Sequence, residues 1–127
     1  MPDVVALAAV VSQDGTVHIA NNVGAFATAT VNLGAAGTIT ASVDTGSAAL
    51  PLALPLCETN PSNGQRLAAP ASSVTFNDPT NATPTFSIFA LSSGSIPFSP
   101  GSSRIFVRFK DAQGVSHGST SVAVTTN

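Results

Sequence analysis

The chain reads as all-β: an antiparallel Ig-like β-sandwich of about seven to nine strands, in a single domain covering residues 1–127. Three observations predict it. Apolar positions are filled mainly by β-branched and aromatic residues, and these alternate with polar ones in short runs. The runs are bounded roughly every 8 to 12 residues by turn signals such as QDG, GAAG, DTGS and DAQG. No apolar stripe with helical spacing persists beyond about two turns. A small barrel is the alternative architecture.

The elements follow in order. Val4–Val11 (VVALAAVV) is the longest apolar run, well short of the ~20 residues that cross a bilayer. It follows Asp3 with no Lys or Arg before it, so it reads as an opening strand and not as a secretory signal. Thr16–Ala20, Ala25–Leu33 and Thr38–Val43 come next. Within Ala25–Leu33, Phe26, Thr28, Thr30 and Asn32 face one way and Ala27, Ala29, Val31 and Leu33 the other; the second, more apolar set is expected to face the core. Leu50–Cys57 forms a strand whose Pro51 and Pro55 mark an edge or a loop crossing, because proline cannot donate to a ladder. Leu67–Ser73 has room for a short helix, and Ser73–Asn77 is extended again. Thr85–Leu91 is apolar on both faces and belongs in the middle of a sheet. Arg104–Lys110 and Ser119–Thr125 complete the set.

Composition narrows the function classes. Only 8% of the residues are charged, the net charge is −2, and the chain has four basic residues in all. A grip on a phosphate backbone needs many Lys and Arg on one face, so nucleic acid is excluded as a partner. Surface polarity must come from Ser, Thr and Asn, a composition resembling that of secreted or surface proteins of bacteria. The single cysteine, Cys57, cannot form an internal disulfide.

Several short stretches invite a chemical reading. VDTGS (Val43–Ser47) matches the catalytic turn of aspartic proteases, in which two aspartates share a proton. A chain of this length would supply one, Asp44, and would have to dimerise. The glycine-rich flap and the apolar pair that brace such a site are missing, and Asp-Thr-Gly after an alternating strand also serves as a plain turn. His18 and His117 have no Cys or carboxylate spaced to complete a metal set and read as exposed polar positions. Asp14, Asp44, Asp78 and Asp111 would hold calcium only if the fold gathered them. Each is explained singly by turn chemistry, so neither a metal nor another cofactor is assigned. Asn81–Thr83 is a glycosylation sequon.

The stretch RIFVRFKD (Arg104–Asp111) holds three of the four basic residues. Alternation puts Ile105, Val107 and Phe109 on a core row and Arg104, Phe106, Arg108 and Lys110 on an outward row, with Phe106 between two guanidinium groups. The outward row is the candidate binding site, for a protein or an acidic glycan. Its structural alternative is a solvated row whose charge guards an exposed strand against edge-to-edge pairing.

From about Gly24 to Asn127 the chain resembles an uncharacterised Ig-like or fibronectin-like domain of large secreted or surface proteins of bacteria. The resemblance rests on GAFATATVNLG, ITASVDTG, LPLCETNPSNGQ, TPTFSIFA, and IPFSP followed by RIFVRFKDAQGVSHGSTSVAV. Members carry two cysteines nine positions apart in an LCxTNPxxGxC pattern; here Cys57 stands at the first and Arg66 at the second. The resemblance implies a loop-closing disulfide lost in this chain, a free Cys57, and a sandwich module without assigned activity. The expectation is a non-enzymatic structural, adhesive or protein-interaction module of an exported bacterial protein, either monomeric or repeated within a larger chain. A carbohydrate-binding module and a self-assembling fibre subunit are the alternatives.

Overall fold

The computed structural model describes residues 2–10, 12–46, 49–60, 62–63 and 65–126, and these contain ten strands and no helix. The strands are β1 (Val4–Val10), β2 (Thr16–His18), β3 (Val23–Asn32), β4 (Gly37–Asp44), β5 (Leu52–Ala53), β6 (Leu56–Thr59), β7 (Ser73–Asp78), β8 (Thr85–Ser92), β9 (Arg104–Lys110) and β10 (Ser116–Thr125). They form two five-stranded sheets packed into a sandwich. In the first, β1, β3 and β8 lie side by side, and β5 and β6 both pair with β8. In the second the order is β2, β10, β9, β4, β7. All pairings are antiparallel except that of β2 with β10, which is parallel.

Ten strands replace the expected seven to nine because Leu50–Cys57 is two strands and not one. Pro55 lacks an N–H and breaks the run, yet its carbonyl still accepts from the Phe89 N–H at 2.9 Å. The two halves therefore continue along the same neighbour, Leu52 opposite Ser92 and Leu56 opposite Ile88. The helix considered for Leu67–Ser73 does not form: Ala71, just past Pro70, exchanges both backbone hydrogen bonds with Leu56 at 2.8 Å.

β8 takes the central place its two apolar faces require, with Phe86, Ile88 and Ala90 fully buried. Across the sandwich, Phe86 packs against Phe109 of β9 and Phe76 of β7, with ring centroids 5.6 and 5.3 Å apart. These tilted contacts join the two sheets.

The facing of β3 is the reverse of the sequence expectation. Phe26, Thr28, Thr30 and Asn32 are buried, whereas Leu33 is 59% exposed. Phe26 lies opposite Ile88 and Thr28 opposite Phe86, so this row shares the inner face of β8. Two of the three polar members are accommodated by hydrogen bonds, whereas the buried Thr28 hydroxyl has no partner among the described residues. Thr30 donates its hydroxyl to the Pro84 carbonyl at 2.7 Å. Asn32 uses its full capacity: its amide donates to the carbonyls of Ala35 and Asp78, and its oxygen accepts from the N–H groups of Asp3 and Gly34. Burying a satisfied amide costs little, and burying Phe26 gains more than burying alanines.

The sheets meet closely at Gly118, where the β9–β10 register shifts. A Cβ at Gly118 would fall on the carbonyl oxygen of Val4, so only glycine lets β10 pass this end of β1.

Candidate functional site

β9 spans the predicted residues, with Ile105, Val107 and Phe109 fully buried and Arg104, Phe106, Arg108 and Lys110 half-buried on the outer face. It is not an exposed edge. β4 and β10 flank it, so its charges do not guard a free strand.

The outward row is engaged with its surroundings. The Arg108 guanidinium carbon stands 4.9 Å from the Phe106 ring centroid. Arg104 does not complete a sandwich on that ring; its Nε and Nη2 donate to Ser121 Oγ at 3.3 and 3.1 Å, and its Nη1 to the Pro100 carbonyl at 2.9 Å. Arg108 donates from Nε to Asp44 Oδ2 at 2.7 Å and from Nη2 to Asp44 Oδ1 at 3.2 Å, a two-pronged pair.

Asp44 closes β4 and lies opposite Phe106 in register. Its Oδ1 also accepts the Gly46 N–H at 2.8 Å. The Arg108 hydrogen bonds, more than the Gly46 N–H, hold the Asp44 carboxyl below its ordinary range, and Asp44 in turn raises the Arg108 guanidinium. Gly46 has a φ of +67°, and a Cβ there would stand 2.9 Å from the Phe106 ring. The DTG turn and the basic row, which look independent in sequence, are thus one assembly: the turn lies on Phe106 and is clamped by Arg108. Within the single chain the partner of Asp44 is the Arg108 guanidinium.

Beside this assembly is a shallow pocket of about 350 Å³ bounded by Thr45 and Gly46, by Gly101 and Ser102, and by Arg104, Phe106 and Arg108. It presents a ring edge, hydroxyls and two guanidinium groups. Lys110 lies further along β9, opposite Thr40, outside the pocket.

The other candidates disperse. His18 and His117, which look isolated in sequence, each meet an aspartate because a turn folds back: Asp14 at 3.0 Å and Asp111 at 2.7 Å. The His117 side chain is 5% exposed and so is not the surface residue expected. Hydrogen bonds from Ser12, His18 and the Thr16 N–H lower Asp14 to about 2; those from His117 and the Val115 and Gln113 N–H groups lower Asp111. The four aspartates occupy four separate settings, and among the described residues no three His, Cys, Asp or Glu side chains gather to hold a metal. Cys57 is buried and free.

Asp78 is the feature sequence reasoning missed. It ends β7 pointing inward and is buried, and both carboxylate oxygens lack a hydrogen-bond partner among the described residues. Burial, with a smaller push from Glu58, raises its pKa. The alternation of Val74, Phe76 and Asp78 on β7 was the available signal.

No helix among the described residues is long and apolar enough to cross a membrane. No protein-family model, no curated protein and no solved structure matches this chain.

Proposed function

We propose that this chain is a non-enzymatic structural or protein-interaction module of an exported bacterial protein, a rigid sandwich that holds its loops in place. The observation that carries the reading is the engagement of the residues with the strongest chemical look: Asp44 and Arg108 pair with each other over Phe106, and Arg104 is hydrogen-bonded to Ser121 and Pro100. Side chains committed to their own turn and strand serve the fold first. The exported setting is supported by the low charge, the hydroxyl-rich composition and the resemblance described above.

A second reading, binding of an acidic glycan, is favoured by one observation: the pocket beside Phe106 offers two guanidinium groups and hydroxyls. The ring and the cations suit a carboxylated sugar. The test is a glycan array that includes acidic oligosaccharides, followed by titration of the wild-type domain and the Arg104→Ala and Phe106→Ala variants. The module reading expects no specific binding. Saturable binding of an acidic sugar, abolished by either substitution in a folded variant, would replace it with the second.

A further inference from the structure

Asp78 is the only one of the five aspartates that is followed by proline. It closes β7 and is 1% exposed, and neither carboxylate oxygen has a hydrogen-bond partner among the described residues. Its main-chain carbonyl, by contrast, is held: Asn32 Nδ2 donates to it at 2.9 Å inside the core. The far side of the Asp78–Pro79 bond is fixed as well. Thr80 donates its hydroxyl to the Gly34 carbonyl at 2.8 Å, and the Asn81 N–H donates to the Asn32 carbonyl at 2.6 Å. Asp78 and Pro79 both border a surface opening of about 270 Å³, lined also by Ala36, Gly37 and Thr38. The bond thus combines an uncommitted buried nucleophile, a polarised carbonyl and an approach for water.

We propose that the chain cleaves itself once, at the Asp78–Pro79 bond, with water as the only co-reactant. A carboxyl oxygen of Asp78 attacks the main-chain carbonyl carbon of its own residue, the C–N bond to Pro79 breaks, and a five-membered cyclic anhydride forms. The bonding pair stays on the proline nitrogen, which takes the carboxyl proton and leaves as a secondary amine. Water from the opening then adds to the anhydride and gives back the Asp78 side-chain carboxyl beside a new terminal carboxyl. The sum is hydrolysis of one peptide bond. Three features favour this path. Proline has no N–H, so the competing attack of the following amide nitrogen on the aspartate side chain is closed. The Asn32 amide is already aimed at the carbonyl oxygen on which negative charge grows. Finally, the reaction needs a protonated carboxyl to supply the amine with its proton, and burial, aided by the like charge of Glu58 on β6, keeps that proton on Asp78 above the ordinary carboxylate range. Its other neighbours bring no charge: Gly37 of β4 lies opposite in register, and Asn32 of β3 is met by Asp3 through the backbone N–H. Cleavage leaves the sandwich assembled, because residues 1–78 and 79–127 each contribute strands to both sheets. The inference goes beyond the module reading, since it needs no bound ligand and holds whether or not the pocket beside Phe106 takes a sugar.

The test is a time course of the purified chain at about pH 5, above the ordinary carboxylate value near ~3.9, read by mass spectrometry under denaturing conditions. Two fragments, residues 1–78 and 79–127, are expected, their masses together exceeding the 12.6 kDa parent by one water. Because the fold builds the site, they should form at least about tenfold faster in the folded chain than in the chain unfolded by urea at the same pH. The rate should fall as the pH is raised to neutral, where Asp78 gives up its proton. Asp78→Asn removes the nucleophile and should slow cleavage at least about tenfold. Pro79→Ala restores the N–H and is the second variant, with circular dichroism as the check on folding for both. No fragments, cleavage as fast or faster in the unfolded chain, a rate independent of pH, or unchanged cleavage in a folded Asp78→Asn or Pro79→Ala variant would each overturn the proposal.

Discussion

The two outer faces of the sandwich are built by the same alternation but finished differently. On the β9 sheet the outward side chains hold one another: Thr38 donates to Asn77 at 3.1 Å, the Thr40 and Thr75 hydroxyls meet at 2.8 Å, and Arg108 grips Asp44. On β1 and β3 of the other sheet the outward side chains are alanine, valine and leucine, which have no polar atoms with which to hold a neighbour. A face of the first kind is complete in water. One of the second kind leaves apolar area exposed, and its stabilisation waits for something to cover it. Alternation therefore tells which residues point outward, and side-chain chemistry decides whether they are finished there.

The contrast can be broken at four places, in descending order of effect. Gly118→Val attacks the contact where the two sheets meet, since backbone at Val4 leaves the new side chain no room. It should cost about 3 kcal/mol in urea unfolding; an unchanged midpoint would show that the sheets do not close there. Asp78→Asn acts between the sheets. Because the folded pKa of Asp78 is raised, the wild type loses stability as pH rises from the ordinary carboxylate value near ~3.9 through the folded value. The variant does not titrate, so it should be more stable by about 1 kcal/mol at pH 7 and should lose that advantage below about pH 4. A melting difference independent of pH would contradict this.

Arg108→Ala loosens the finished face. The pair is partly exposed, with side chains 32% and 41% accessible, so solvent screening limits the loss to about 0.5 to 1 kcal/mol at pH 7. Asp44 has a depressed folded pKa, so its contribution is complete above the ordinary carboxylate range and vanishes as pH falls through the folded value. Melting curves of the wild type and variant should therefore converge in acid, and a gap that persists would assign the loss to packing on Phe106. Leu7→Ser, on the open face, should change the stability of the monomer by no more than about 0.5 kcal/mol, since the side chain is already in water. A larger loss in dilute solution would mean that Leu7 packs within its own sheet.

Much of the fold was legible. Strands β1, β8 and β9 follow from local alternation and β-branched content, and the core row of β9 could be named residue by residue. Three things were not. The inner face of β3 was misjudged because apolar count favours Ala27, Ala29, Val31 and Leu33, while burial was decided by Phe26 and by hydrogen-bond partners for Thr30 and Asn32 that come from distant segments. The single strand expected over Leu50–Cys57 is divided because proline keeps the direction of the chain while breaking its ladder. The candidate site was half legible: the outward row was found from spacing, but its union with Asp44 joins residues 64 positions apart.

By itself the sequence determined the local matters. It set the all-β class, the places of the turns, the periodicity of each strand and the scarcity of charge, because these depend on backbone preferences and on neighbours two residues away. Only the tertiary structure decided which face of β3 is covered, which aspartate meets Arg108, that the Asp78 carboxylate is buried without a hydrogen-bond partner among the described residues, and that the alanine and leucine rows of β1 and β3 merge into one bare surface. Those outcomes depend on pairing between strands far apart in the chain, where burial and hydrogen bonding are settled by whichever segment arrives opposite.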